Sequence, residues 1–515
     1  MGILSAPASG VTIRMYRQGL GDCFLLAFPT EQPGQAFYML IDCGVIFGTQ
    51  NPVKQMTDVA TDIAAATGGD IHLLVATHEH WDHLSGFLQA GSVFQGMRIH
   101  NLWLAWTEDP SDQLAQQLRT EFHNNVQALR MAVNRASDPA SVQPITNLLH
   151  FFGNPAVSPG NVPGIANAQN TGAALDAIRG FVNKMNASPQ YRHPGEGVLT
   201  LPRINGLANV PGVRIYVLGP PHDEQKLKDI NPSAKGQEVY TQASALTAQK
   251  AFFMAVQDAN QLTADDQALR ELSFPFDKGL QIPRADAKQI EFFQTHYGFD
   301  DEPAVSAGDS TTNNAQPQSA KQDELAWRRI DDDWLGSAGE FALQLDSYTN
   351  NTSLALAIEL VNTKKVLMLV ADAQIGNWLS WDDLSWSVPD STGSLQTIRI
   401  GDLLARTVLY KVGHHGSVNA TIRADGPNKK GLELMTSPDL VAMIPVNHAM
   451  AVIKRWNMPF DPLLQRLDEK TSKRVMRIDD PFPKPQPDGM SDAAWQTFKA
   501  NFEETQLYLQ YTVTD

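Results

Sequence analysis

The sequence predicts a mixed α/β (α+β) fold, and three observations carry that reading. Short apolar runs rich in Val, Ile, Leu and Tyr recur along the whole chain. Stretches with apolar residues every three or four positions separate them, as amphipathic helices require. Several of the apolar runs stop at a histidine or an aspartate.

The strand-like runs, in order, are VTIRMY (11–16), CFLLAF (23–28), FYMLID (37–42), IHLLVA (71–76), VRIYVLG (213–219), SLALAIEL (353–360), KVLMLVAD (365–372) and TVLYKVG (407–413). Their length and β-branched content suit strands better than helices. Between them, Leu114, Leu118, Phe122, Val126, Leu129 and Val133 mark one face of a long helix. Further helical patterns cover about 173–187, 239–258 and 262–272, and the polar segment 303–323 reads as a loop. The tail offers a helix at 461–470, a strand at 473–478, a helix from about 491 and an alternating strand at 507–513. All of 1–515 is assigned to a single domain, with a core of 10–106, 211–222 and 340–450, insertions at about 107–210 and 223–339, and a C-terminal extension at 451–515.

Composition bounds the function. With 43% hydrophobic and 19% charged residues, the chain is globular rather than fibrous or disordered. Its longest apolar runs are far shorter than the roughly 20 residues that span a membrane as a helix. No basic stretch precedes a long apolar segment at the N-terminus, so a cytoplasmic protein is expected. Cys23 and Cys43 sit in apolar surroundings and read as buried thiols. A net charge of −16 repels polyanions at long range, which disfavours nonspecific nucleic-acid binding without excluding a local basic patch. The oligomeric state is left open.

The densest chemistry is THEHWDH, residues 77–83, directly after an apolar run. On an extended loop, His78 and His80 are two positions apart and point to one side. Asp82 and His83 add an oxygen and a nitrogen nearby, a donor set that suits zinc. Asp42, Asp372, His414 and His222 lie at or just beyond the ends of other strand-like runs. Strand ends from distant parts of a sheet can share one rim, so these residues can meet.

THEHWDH resembles the histidine signature of the metallo-β-lactamase superfamily. RQGLGDCFLLAF (17–28), TNNTSLALAIEL (349–360), VLMLVADA (366–373) and VLYKVGHHGS (408–417) are similar to successive motifs of the hydrolase domain of the bacterial DNA-uptake competence family. The resemblance implies a four-layer αββα sandwich with large, mainly helical insertions and two divalent metal ions, zinc or manganese, at one edge. It implies that His78 and His80 hold one ion, that Asp82, His83 and His414 hold the other, and that Asp372 bridges them. Asp42 is expected to brace the histidine loop. The superfamily's further histidine falls near His222, and Asn350, Asn351 or water are the alternatives. His414 and His415 compete for one place; His414 is preferred, with His415 and Ser417 bracing ligands or touching substrate.

Bland readings stand beside these. Trp378 and Trp381 suit a core better than a pocket wall, the 114–133 face suits packing, and His448 is the one other histidine worth testing as a ligand. Two ions about 3.5–4 Å apart lower the pKa of a shared water toward about 7. The expected activity is therefore hydrolysis, with Asp82 and Asp372 orienting the nucleophile and taking its proton. A small phosphodiester or nucleotide is the expected substrate. Hydrolysis of a lactone, amide or thioester, or a regulatory module with structural metals, are the alternatives. The insertions are expected to cover the metal edge as a lid or side wall.

Overall fold

The computed structural model describes residues 2–135, 139–153, 170–229, 282–297, 334–390, 392–424, 430–480 and 485–515. The expected helices at 239–258 and 262–272 and the loop at 303–323 lie outside the described residues. Among the described residues, no helix is long and apolar enough to cross a membrane.

The fold is mixed α/β and is built on two large mixed sheets. The first runs in the order Phe502–Glu504, Tyr508–Thr514, Gly10–Tyr16, Phe24–Pro29, Ala36–Ile41, Leu73–Ala76, Leu102–Ala105, Gln190–Arg192. The second runs Val475–Arg477, Val441–Ile444, Thr407–Lys411, Lys365–Leu369, Leu356–Leu360, Val213–Val217. Each sheet has an antiparallel part and a parallel part. In the first sheet Ala36–Ile41 and Leu73–Ala76 are parallel neighbours, and in the second Lys365–Leu369 and Thr407–Lys411 are. Those four strands end at Asp42, at Thr77 and His78, at Asp372 and at the His414–His415 pair.

Alternation along the strands sorts the core into two clusters. Ile13, Leu26, Met39 and Val75 from the first sheet share one cluster with Ile215, Ile358, Leu367 and Met443 from the second. The opposite faces of the first sheet's strands, Leu25, Leu40 and Leu74, pack with Val59 and Ile63 of the helix Pro52–Thr67 and with Ile178 of the helix Thr171–Asn183. Burial on both faces explains why these strands read as unbroken apolar runs.

Some boundaries differ from expectation. IHLLVA divides at His72, whose Nδ1 accepts the Tyr38 backbone N–H at 2.8 Å, so Ile71 and Leu73 belong to different sheets. The C-terminal extension is part of the core, because Tyr508–Thr514 pairs along its length with Gly10–Tyr16. Within 107–210, the helix Thr171–Asn183 packs on the first sheet and Gln190–Arg192 forms its edge strand, so this stretch is not wholly an addition. Where one domain was expected, the chain divides into two compact units, one of Met1–Arg130, Pro144–Ala245 and Ala342–Asp515, the other of Met131–Gln143 and Leu246–Phe341. The second unit's described part includes the short helices Arg284–Ala287 and Glu291–Tyr297. Both large sheets belong to the first.

Candidate metal centre

The histidine loop is stitched to two neighbouring turns. Asp22 N–H donates to Asp82 O at 3.0 Å, and Cys43 N–H donates to His83 O at 2.8 Å. Gly44 permits this approach, since a side chain there would collide with the Asp82 and His83 backbone. Asp42, Ala371, His414 and His415 all have positive φ, from 40° to 53°. Such backbone costs about 1–3 kcal/mol per residue, and its concentration at strand ends is a mark of sites held for function.

Asp42 is buried behind the loop. Its Oδ1 accepts Thr77 N–H at 2.8 Å, its Oδ2 accepts the Thr77 hydroxyl at 2.7 Å, and the same oxygen lies 2.7 Å from His83 Nδ1. A proton on His83 Nδ1 leaves Nε2 facing Asp372 Oδ2 at 3.1 Å. His415 is arranged alike: Nδ1 lies 2.9 Å from Pro445 O, and Nε2 lies 2.8 Å from Asp82 Oδ2 and 3.5 Å from Asp372 Oδ2. The structure therefore brings His415, not the expected His414, against the two aspartates. The left-handed turn at 414–415 aims the second imidazole inward.

His78 Nε2 and His80 Nδ1 face each other at 3.0 Å, while His78 Nδ1 lies 3.1 Å from the Thr77 hydroxyl. His414 Nδ1 is 3.0 Å from both Gln374 Nε2 and Ser417 Oγ, and 3.5 Å from Asn350 Nδ2. Ser417 thus touches His414. Asn350 joins His414 to Asp346, to whose Oδ2 it donates at 3.1 Å.

Two expected contributors stand elsewhere. His222 is 45% exposed, pairs with Asp112 at 2.8 Å and lies against the Trp106 ring, whereas the cluster is buried. The Pro220–Pro221 turn carries it to the surface, so His222 is removed from the proposed ligands. Asn351 holds loops instead: its amide donates to Leu227 O and Asp229 O, each at 3.0 Å, and its oxygen accepts Asn377 N–H. His448 is exposed and capped against Met458 O. Trp378 and Trp381 are buried with their indole N–H groups bonded, which is core packing. Cys23 and Cys43 are buried and free.

Three buried residues went unassigned in the sequence. Lys411 Nζ lies 2.6 Å from Asp22 Oδ2 and 3.0 Å from Asp372 Oδ1, and Asp346 Oδ1 lies 3.8 Å from His80 Nε2. A lysine inside the apolar run TVLYKVG was the available signal for Lys411. Asp22 lies inside RQGLGDCFLLAF without a signal of its own, and Asp346 lies outside the quoted motifs.

Charge in this centre is dense. Burial opposes ionisation of Asp372, but Lys411, His83 and His415 outweigh it and hold its carboxyl well below the usual range. Burial likewise opposes charge on His83, yet Asp372, Asp22, Asp42 and Asp82 raise it well above an ordinary imidazole. Burial lowers His80 to about 3 and His414 to about 4. Burial, with Asp82 and Asp372 nearby, pushes the Asp346 carboxyl well above its usual value.

Asp22, His83, Asp372 and His415 offer ligand atoms that all lie within 4.8 Å of one another, so this buried group could hold a metal ion. Its unsatisfied atoms fit that use. Among the described residues, His83 Nε2, Asp82 Oδ1, Asp372 Oδ2, His80 Nε2, His414 Nε2 and Asp346 Oδ1 are buried without a hydrogen-bond partner. Unpaired buried polar atoms cost about 1–3 kcal/mol each, and a cation would satisfy several at once. No family model and no curated protein matches the chain.

Proposed function

We propose that this chain is a metal-dependent hydrolase of the metallo-β-lactamase superfamily, with its two sheets and flanking helices forming a four-layer αββα sandwich. The observation that carries this reading is the meeting of His83 with Asp372 and of His415 with Asp82, at 3.1 and 2.8 Å, from segments that follow strands of two different sheets. His83, Asp82, Asp372 and His415 would hold one divalent ion, and His78 and His80 a second. Zinc fits the nitrogen and carboxylate donors, and manganese is the alternative.

Bound ions would supply Lewis-acid polarisation of the scissile group and activation of water. The chain's residues do the rest. Asp42 and Pro445 O fix the tautomers of His83 and His415, so both present a lone pair at Nε2. Lys411 balances Asp22 and Asp372, which keeps the acidic centre from repelling itself apart. Asp82 Oδ1, which has no hydrogen-bond partner among the described residues, is the proton acceptor.

A cavity of about 70 Å³ is lined by Glu79, Glu108, Arg119, Phe122, Leu345 and Tyr348 among others. Of the histidine loop, Glu79 lines it and none of the proposed ligands does. Phosphoester bonds of a small phosphodiester or nucleotide are the proposed target, since paired ions suit in-line displacement at phosphorus. A lactone, amide or thioester is the second reading, since bound ions would polarise a carbonyl as well as a phosphoryl group.

The test is a panel of phosphodiesters, phosphomonoesters, lactones and thioesters on zinc- or manganese-loaded protein beside Asp82→Ala. Turnover of a phosphodiester that falls at least 100-fold in the variant supports the proposal. Turnover of carbon esters alone moves the assignment to the second reading, and equal turnover in the variant removes the centre from catalysis.

A further inference from the structure

Every imidazole that the proposed centre would use needs one nitrogen as a lone pair, and hence its proton on the other. For three of them the partner of that second nitrogen is on the page: the Thr77 hydroxyl for His78, Asp42 for His83 and Pro445 O for His415. His80 is the exception. Its Nδ1 faces His78 Nε2 at 3.0 Å, within a few tenths of an ångström of the roughly 3.3 Å that separates two nitrogens on one tetrahedral zinc. The proton then belongs on Nε2, which is buried and has no hydrogen-bond partner among the described residues.

The walls around Nε2 offer little. Phe151 and Phe152 flank the His80 ring at centroid distances of 5.2 and 5.3 Å and carry no acceptor. Asp346 does. Its Oδ1 stands 3.8 Å from His80 Nε2, is itself buried and without a hydrogen-bond partner among the described residues, and belongs to a carboxylate whose other oxygen is fixed by Asn350 at 3.1 Å. Two unpartnered, complementary atoms thus face each other less than about 1 Å beyond hydrogen-bond distance.

We propose that Asp346 is a positioning residue for His80: it accepts the Nε2 proton and so turns the Nδ1 lone pair toward the ion shared with His78. Asp346 sits one helical turn before Asn350 on the helix Trp334–Asn351, so the two side chains share a face and Asn350 sets the carboxylate's rotation. The proposal rests on the metal-centre reading above. It adds a second helix to the elements that place the ligands, beside Trp81–Gln89, which carries Asp82 and His83.

Cobalt titration of the full chain, followed by absorption and by metal counting, tests it. Wild type is expected to bind two ions. In Asp346→Ala the count stays at two, while half-saturation of one ion rises ten- to hundred-fold and that of the other is unchanged. Asp346→Asn, which keeps an acceptor oxygen and nearly the same shape, falls between them. A wild type that binds no ion overturns the metal-centre reading and this proposal with it. A two-ion wild type whose affinities neither variant changes overturns the role of Asp346 alone. Loss of one ion from both variants overturns it also, because Asp346 would then be a ligand. On zinc-loaded wild type, nitrogen-15 NMR is expected to find the His80 proton on Nε2, and a proton on Nδ1 overturns the proposal.

Discussion

The two halves of the centre are built differently. Around His83 and His415 both imidazoles have Nδ1 within 2.9 Å of an acceptor, and Lys411 balances the aspartates they face. Around His80 and His414 the Nε2 atoms have no hydrogen-bond partner among the described residues, and rings of Phe151 and Phe152 stand beside them. One half is held by charges that already answer each other. The other lies against phenylalanine rings, and His414 there is met by Gln374, Ser417 and Asn350. The contrast teaches that charge pairing, not the type of element, separates the halves, since Asp82 and His83 lie on the helix Trp81–Gln89 that His80 directly precedes.

Asp372→Ala breaks the first half and carries the largest expected effect. It strips Lys411, His83 and His415 of a shared buried counter-charge, which costs about 3–5 kcal/mol. Urea unfolding of the metal-free variant is expected to show that loss, and an unchanged midpoint would mean that the charges are not coupled. Asp42→Asn comes next, at about 1–3 kcal/mol for the disturbed Thr77 and His83 bonds, with a ten- to hundred-fold weaker metal affinity.

The halves should also differ in the sign of their pH dependence. His83 has a folded-state value above that of the unfolded chain, so in metal-free protein its contribution is full below about pH 6.5 and is lost as pH rises through the elevated value. His80 is lowered to about 3, so its contribution is present above about pH 6.5 and is lost as pH falls toward 3. Unfolding midpoints across pH are expected to lose their alkaline slope in His83→Gln and part of their acid slope in His80→Gln. Parallel profiles for the two variants would erase the distinction. The smallest effect belongs to Ser417→Ala, which removes one contact to His414 and is expected to lower stability by about 1 kcal/mol without abolishing turnover. Abolished turnover would make Ser417 a nucleophile.

Legibility in the sequence followed the same division. Strand-end chemistry was readable: apolar runs stop at Asp42, His78 and Asp372, and parallel pairing places those ends on one rim. The split at His72 was not readable, because it depends on a side-chain bond to Tyr38 N–H. Nor was the choice between His414 and His415, since it turns on the positive φ of both residues rather than on their order. His222 looked like a ligand by position, but a turn carries it to Asp112. Asp346 was hidden because a helix presents its residues by rotation, and nothing local in ALQLDSYTNN says which carboxylate will meet a histidine 266 positions earlier. The tail strand Tyr508–Thr514 was read correctly as a strand, but its place beside Gly10–Tyr16 is a long-range pairing that alternation alone does not encode.

The central claim is that side chains from two sheets share a cation, and an anomalous-scattering map from a crystal of zinc-loaded protein tests it most directly. The account predicts an ion at about 2.0–2.2 Å from His83 Nε2, His415 Nε2 and oxygens of Asp82 and Asp372. A map with no peak among these four residues, in protein shown to be folded and saturated with zinc, would contradict it.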